Sequence, residues 1–169
     1  MPIESPAGPL TTLEETVFLA RRHADDLEKH FKVPILLVVA PAEDWAETTQ
    51  ARNTIESDVV SVQMMPTLVV ELRGDYDISF GRAPQSSVVL PFAAMSKHHG
   101  FFREENGNWH IGDAGSKNGT FVDGARVANG ALVPLRDGGS LRFGDVTAKF
   151  WLPKSFCLDL RKRLKASAL

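Results

Sequence analysis

Residues 109–124 read WHIGDAGSKNGTFVDG, a stretch in which β-prone residues flank a loop of small and polar ones. The loop contains Asn118-Gly119, and the stretch ends on Asp123-Gly124. Asn-Gly and Asp-Gly pairs tolerate the positive φ angles that tight turns require. The stretch therefore predicts two short strands joined by a compact loop, with a further turn directly after the second strand.

The same alternation of short strands and turns extends over residues 66–153. Further turns are predicted at Gly74-Asp75, Asn106-Gly107, Asn129-Gly130 and Asp137-Gly138. The β-rich runs predict strands over residues 67–72, 78–82, 88–90, 100–104, 109–112, 120–122, 132–135, 140–143 and 147–152. Many short strands at this spacing are typical of an all-β sandwich and not of βαβ units.

Residues 1–65 have a different pattern and are predicted to form an α/β extension of the sandwich. After a Pro- and Gly-rich lead-in over residues 1–10, apolar residues recur every three or four positions and predict a helix over about 13–31. Thr12 and Glu15 have the spacing of a capping box at its start. Strands are predicted over about 35–39 and near Val59–Met64, and residues 154–169 are predicted to form a short closing helix and tail.

Composition excludes several classes of protein. The formal net charge of -2 and pI of about 6.2 provide no general excess of Lys and Arg for binding nucleic acid. The single cysteine, Cys157, cannot form an internal disulfide or a Cys-rich metal site, and no cofactor motif occurs. No apolar run is long enough to cross a bilayer, and residues 1–4 lack a signal-peptide pattern. We therefore expect a cytoplasmic protein with no membrane or nucleic-acid partner.

Three polar motifs follow one another along the predicted sandwich. They are Gly81-Arg82 at a strand end, Ser96-Lys97-His98-His99, and Ser116-Lys117-Asn118-Gly119-Thr120. In order and spacing they resemble the blocks of the forkhead-associated (FHA) domain, which are Gly-Arg, Ser-Arg-x-His and Ser-x-Asn-Gly-Thr. The resemblance covers about residues 67–152 and implies an FHA-type antiparallel β-sandwich.

The resemblance also implies a function, which is the binding of phosphothreonine in a partner protein during Ser/Thr kinase signalling. A phosphate dianion needs a cation and several fixed hydrogen-bond donors, and loops at one end of a rigid sandwich can provide both. By resemblance, the ligand residues are Arg82, Ser96, Lys97, Lys117 and Asn118. The structural residues of the motifs are Gly81, His99, Ser116, Gly119 and Thr120. Ser86-Ser87 stand where the family often has Asn-Asp, so the Asp that would brace the loops there is missing.

Two other functions are compatible with the same residues. A phosphate-independent FHA scaffold would use the sandwich face or the N-terminal helix for protein contacts. A small hydrolase would use Ser96 with His99, but no Gly-x-Ser-x-Gly elbow surrounds this serine. A metal site is disfavoured because His98 and His99, if they lie on a strand, point to opposite faces. We therefore expect a binding module, with no catalytic or metal-binding residues.

Overall fold

The computed structural model of the chain describes residues 11–41 and 67–166. The predicted lead-in over residues 1–10 and the predicted strand near Val59–Met64 lie outside these residues. The first range contains β1 (Thr11–Thr12), α1 (Leu13–Ala20), a 3-10 helix (Arg21–His23), α2 (Leu27–His30) and β2 (Ile35–Val39). The second contains β3 (Thr67–Glu71), β4 (Ile78–Gly81), β5 (Val88–Val89), β6 (Gly100–Glu105), β7 (Asn108–Asp113), β8 (Thr120–Val122), β9 (Ala125–Arg126), β10 (Leu132–Pro134), β11 (Ser140–Phe143), β12 (Val146–Trp151) and α3 (Pro153–Ala166).

The strands form two sheets that face each other, so the predicted β-sandwich is confirmed. The larger sheet has the order β1-β3-β2-β12-β11-β8-β9 and the smaller one β10-β7-β6-β4-β5. The pairs of strands are antiparallel except for β4 and β5, which are parallel. Buried side chains from both sheets form the main core, among them Leu36, Val38, Leu68, Val70, Phe80, Phe102, Ile111, Leu141, Phe143 and Phe150.

The nine strands predicted over residues 66–153 lie within one residue of their predicted ends, because tight turns fix where strands stop, whereas β1 in the larger sheet was not predicted. Asn106 and Gly107 join β6 to β7 with φ angles of 53° and 81°. Asp123 and Gly124 join β8 to β9 with φ angles of 48° and 87°. Strand β9 itself was not predicted, since it is only two exposed residues long and has no apolar pattern.

Strand β2 lies inside the larger sheet, although the sequence analysis placed it in an extension. It pairs with β3 through Ile35↔Glu71 and with β12 through Ile35↔Trp151. Alternate side chains of β2 enter different cores, with Leu36 in the main core and Leu37 in a second core beneath the helices. Burial on both faces explains why this strand is a continuous apolar run.

The three helices cover the outer face of the larger sheet at β3, β2 and β12. The second core joins Ala20, Leu27, Ile35, Leu37, Val69, Phe156, Cys157 and Leu160. Phe31 contacts Phe156 edge to face, with 5.0 Å between ring centroids. The helices on either side of the sandwich sequence therefore pack together on one sheet face. None of the helices in the described ranges is long and apolar enough to span a membrane.

The prediction of one continuous helix over residues 13–31 is wrong, because the helix is interrupted between Ala20 and Leu27. The capping box of Thr12 and Glu15 is present at the start of α1, but α1 ends at Ala20. A 3-10 helix and a turn follow before α2 begins at Leu27. Ala24, which the pattern placed on the buried face, is exposed, so no side chain anchors the chain between Ala20 and Leu27. Helices are stabilised mainly by packing of their apolar face, and without it this helix breaks.

The two ends of the sandwich differ in character. One end, called the loop end below, carries the residues after β4 together with residues 90–99 and 114–119 and Gly144. The opposite end, called the turn end, carries Asn106-Gly107, Asp123-Gly124 and Asp137-Gly138. All three polar motifs lie at the loop end.

Candidate functional site

The site begins where β4 ends against the loop that precedes β6. The backbone N–H of Arg82 donates to the carbonyl of Ser96 at 2.9 Å, and the N–H of Ala83 donates to the carbonyl of Lys97 at 3.0 Å. A Cβ on Gly81 would lie 2.3 Å from the Lys97 carbonyl oxygen, closer than any side chain can sit. Glycine at position 81 therefore allows the two backbones to touch, which explains the Gly-Arg motif physically.

Arg82 is exposed at the loop end. Its Nε donates to the carbonyl of Met95 at 3.3 Å, which aims the side chain along the same loop. In the described part of the chain no carboxylate forms an ion pair with it. Most of the guanidinium thus stays available to an external anion.

Ser96 connects the second motif to the third. The backbone N–H of Lys117 donates to Ser96 Oγ at 2.9 Å. The serine oxygen accepts this bond, so its own hydroxyl proton remains for another acceptor. Because the backbone carbonyl of Ser96 also receives the Arg82 N–H, this one residue joins all three motifs.

Lys97, Lys117 and Asn118 lie exposed around Ser96. Neither lysine forms an ion pair within residues 11–41 and 67–166. Asn118 Nδ2 donates to the carbonyl of Ala94 at 2.9 Å, which fixes the amide and leaves its oxygen as an acceptor. The loop end thus presents three cations, one hydroxyl donor and one oriented amide on neighbouring loops.

His99 is fully buried beneath these loops and links two of them. The backbone N–H of Ser96 donates to His99 Nδ1 at 3.1 Å. Since Nδ1 accepts, the proton of the neutral ring is on Nε2, which lies 3.3 Å from the Gly119 carbonyl and donates to it. The ring also stacks on Phe80, with centroids 5.6 Å apart. His99 therefore holds the Ser96 and Gly119 loops at a fixed separation.

Acidification is expected to destabilise the fold through His99. Burial lowers the pKa of this imidazole below 6.5, against the smaller opposing effects of the Gly119 carbonyl and the Asp113 carboxylate. The unfolded chain then binds more protons than the folded chain, so stability is complete above about pH 6.5 and declines below it. We expect the melting temperature, measured without ligand, to fall between pH 7.5 and pH 5.

The exposed neighbour His98 provides the control for this prediction, since His98→Gln should leave the pH dependence unchanged. The pKa values of Asp113 and Asp123 are lowered from 3.8, so the stability that these carboxylates contribute is lost only well below pH 5 and does not change between pH 7.5 and pH 5. A melting temperature that stays constant from pH 7.5 to 5 would contradict the neutral, buried histidine.

Asp113 braces the third motif, a role that the sequence analysis missed. Its Oδ1 accepts the backbone N–H groups of Gly115 and Ser116, both at 2.8 Å. Its Oδ2 accepts the hydroxyls of Ser116 at 2.6 Å and of buried Thr120 at 2.7 Å. Burial alone would raise the pKa of Asp113, but these four hydrogen bonds hold it below its usual value. The spacing Asp-x-x-Ser, typical of a loop capped by its own side chains, was the available signal.

Ser116 links Asp113 to Gly119. Its hydroxyl donates to Asp113 Oδ2, and its Oγ accepts the Gly119 N–H at 3.0 Å. Gly119 has a φ of 86°, a conformation that favours glycine. Its carbonyl accepts both His99 Nε2 and the Gly144 N–H. The structure thus brings the five predicted ligand residues together at the loop end, with the five predicted structural residues directly behind them.

The arrangement differs from that of a serine hydrolase. His99 Nδ1 accepts the backbone N–H of Ser96, whereas the Ser96 hydroxyl oxygen is bonded to Lys117 N. A nucleophile–base pair requires the hydroxyl itself to donate to the imidazole. The other imidazole nitrogen faces a carbonyl and not a carboxylate. Within the described residues there is also no cluster of three or more His, Cys, Asp or Glu side chains that could hold a metal ion.

The sequence of this chain is similar to that of known proteins. The FHA domain family profile matches residues 78–144. FhaB, an FHA domain-containing protein of Mycolicibacterium smegmatis, is 34% identical over 42% of this chain and 44% of its own length. The glycogen accumulation regulator GarA of Mycobacterium tuberculosis is 42% identical over 34% of this chain and 38% of its own length. The matched region spans less than half of each of these relatives.

The fold also matches a solved structure. The N-terminal FHA domain of Rad53p from S. cerevisiae, in complex with a phosphothreonine peptide, superposes with a TM-score of 0.50. The superposition covers 75% of this chain and 98% of that domain, at 17% sequence identity. At this level of identity the likeness concerns the fold.

Proposed function

We propose that the protein binds a phosphothreonine-containing segment of a partner protein, because residues 78–144 match the FHA domain family and the fold resembles that of a solved FHA domain. The observation that carries the proposal is the convergence of three motifs on Ser96. This serine accepts the Arg82 N–H through its carbonyl and the Lys117 N–H through its hydroxyl oxygen. A phosphate above Ser96 would thus be within reach of donors from three separate loops.

Each ligand residue has a chemical role in this proposal. Arg82 provides the planar guanidinium that pairs with two phosphate oxygens, and Ser96 donates its remaining proton to a third. Lys97 and Lys117 add positive charge at the rim. The amide of Asn118, held by the Ala94 carbonyl, turns its oxygen toward the peptide and can accept a backbone N–H beside the phosphothreonine.

We propose that the protein acts in signalling and not in catalysis. Phosphothreonine arises by phosphoryl transfer to a threonine hydroxyl, so the partner must be a Ser/Thr kinase or a substrate of one. The site holds donors and cations but no activated nucleophile, since the Ser96 hydroxyl is not bonded to His99. We propose a non-enzymatic, cytoplasmic binding module that needs no cofactor.

A peptide series tests this function. One peptide is synthesised with threonine, phosphothreonine or phosphoserine at the same position, and its affinity is measured by fluorescence anisotropy. Phosphothreonine should bind at least tenfold more tightly than threonine, because charge-assisted bonds to phosphate contribute roughly 1.5–3 kcal/mol. It should also bind about fourfold more tightly than phosphoserine, because FHA domains typically bury the γ-methyl group and one buried methyl is worth about 0.8 kcal/mol.

Two outcomes of this series would contradict the proposal. Equal affinity for threonine and phosphothreonine would indicate a phosphate-independent scaffold. Equal affinity for phosphothreonine and phosphoserine would leave phosphate recognition intact but would remove the preference for threonine. The peptide series should be repeated over several flanking sequences, so that a poor sequence is not taken for a missing phosphate site.

A further inference from the structure

The arginines of the sandwich divide between its two ends. At the turn end, Arg73, Arg103 and Arg136 form ion pairs with Glu71, Asp77 and Asp123 respectively. Arg82, Arg126 and Arg142 lie toward the loop end, and in the described ranges none of them has a carboxylate partner. Arg82 belongs to the proposed phosphate site. Arg126 and Arg142 have no role there.

These two arginines flank one aromatic ring on the outer face of the larger sheet. Phe121 on β8 is the register partner of both Arg126 on β9 and Arg142 on β11. The guanidinium carbon of Arg142 lies 3.6 Å from the ring centroid, and that of Arg126 lies 5.9 Å away. Arg142 also donates to the Gly144 carbonyl. Cation–π contacts of this kind hold guanidinium groups in place before any ligand binds.

The cluster of Phe121, Arg126 and Arg142 borders the residue proposed to hold the peptide backbone. A Cβ on Gly119 would lie 3.1 Å from the Phe121 ring and 3.2 Å from Arg126 Nε. A Cβ on Gly144 would lie 3.0 Å from the Cβ of Asn118. Arg126 therefore lies next to Gly119, and Arg142 donates to the carbonyl of Gly144, whose Cα faces the Asn118 side chain.

Within the described residues no carboxylate lies within ion-pair distance of either guanidinium group of the cluster. Arg126 also lines an open groove of about 330 Å³ together with Gly115, Ser116 and Asn129. The acid in this groove, Asp113, already accepts four hydrogen bonds from its own loop. Two guanidinium groups beside one ring repel each other, and a carboxylate brought between them would relieve that repulsion.

We propose that Arg126 and Arg142, positioned by Phe121, form a second subsite that selects an acidic side chain in the same phosphopeptide. The inference rests on the proposed function, because Asn118 sets where the peptide passes. An extended peptide advances about 3.3 Å per residue. The acidic residue should therefore lie within about four positions of the phosphothreonine.

A charge scan locates this residue. A phosphothreonine peptide with an alanine background carries a single aspartate, which is moved from position -4 to position +4. We expect one or two neighbouring positions to raise affinity about three- to fivefold over the all-alanine peptide, the range of an exposed ion pair. The gain should shrink at 0.5 M salt, since exposed charge pairs are screened.

Two matched double variants test whether the cluster causes the gain in affinity that the aspartate provides. Arg126→Gln with Arg142→Gln should bring the aspartate peptide down to the affinity of the alanine peptide. Arg103→Gln with Arg136→Gln removes the same charge at the turn end and should keep the gain. All four side chains are at least partly exposed, and melting temperatures will verify that both variants are folded.

The outcomes separate this inference from the function on which it rests. If the alanine peptide binds but no aspartate position improves it, or if both double variants lose the gain equally, the acid-selective subsite is excluded and phosphothreonine binding stands. If the alanine peptide requires no phosphate, the proposed function fails and the inference fails with it. Binding of the acidic peptide without phosphothreonine, at full strength, would make the cluster an independent surface and would also overturn the inference.

Discussion

A chain that begins at Pro41 is expected not to fold into the sandwich. The deletion removes β2, which lies between β3 and β12 and forms hydrogen bonds with both. It also removes Leu36 and Val38, which are completely buried in the main core. Burial of one such side chain contributes about 1.5–3 kcal/mol, and a domain of this kind is stable by only about 5–15 kcal/mol. Circular dichroism should show no cooperative thermal transition.

A chain that begins at Val33 is the matched control for this deletion. It lacks α1 and α2 but retains β2 and the Pro34 carbonyl that accepts the Leu72 N–H. The exposed remainder of the second core should lower its melting temperature, yet the sandwich should still unfold cooperatively. Should the chain from Pro41 melt at the same temperature as the full chain, residues 35–39 would not belong to the folding unit that we propose.

Arg82→Ala is expected to abolish nearly all phosphopeptide binding while the melting temperature stays close to that of the unmodified chain. The side chain is exposed and its Nε makes a long contact with the Met95 carbonyl, so the fold depends little on it. The backbone N–H bond to Ser96 survives the substitution. Loss of a charge-assisted bond to phosphate costs on the order of 1.5–3 kcal/mol. Affinity measured by anisotropy should fall roughly 10- to 150-fold.

Arg136→Ala controls for the loss of one positive charge. Arg136 is exposed at the turn end, where it pairs with Asp123. This variant should bind the phosphothreonine peptide with nearly unchanged affinity. If the Arg82→Ala variant binds the phosphothreonine peptide with the same affinity as the Arg136→Ala variant, the phosphate is held elsewhere.

Much of the sandwich could be predicted from the sequence because its turns are local. Positive φ angles at Asn106-Gly107 and Asp123-Gly124 depend on the residues at the turn itself. Each such turn ends one strand and begins the next. The Gly81-Arg82 pair and the two following motifs could be found in the same way, since each is a short run with its own composition.

The sequence did not predict which elements would become neighbours. The apolar run at residues 35–39 indicated a buried strand but not its position between β3 and β12. The helical period from Leu13 to Phe31 indicated a buried stripe, but the described fold leaves Ala24 exposed and the helix breaks there. Periodicity reports how a segment is buried, whereas its partner is set by contacts between residues far apart in the chain.

Some features of the site could likewise be predicted from the sequence, and others depend on the tertiary structure. By itself the sequence determined which loops carry Arg82, Ser96 and Asn118, because a motif is a property of consecutive residues. Only the tertiary structure decided that Asp113 braces the third loop and that Gly81 must lack a side chain where Lys97 passes. Only the tertiary structure, too, left Arg126 and Arg142 without an ion-pair partner among the residues that the structure describes. These features depend on distances between separate strands, and such distances exist only once the two sheets have packed.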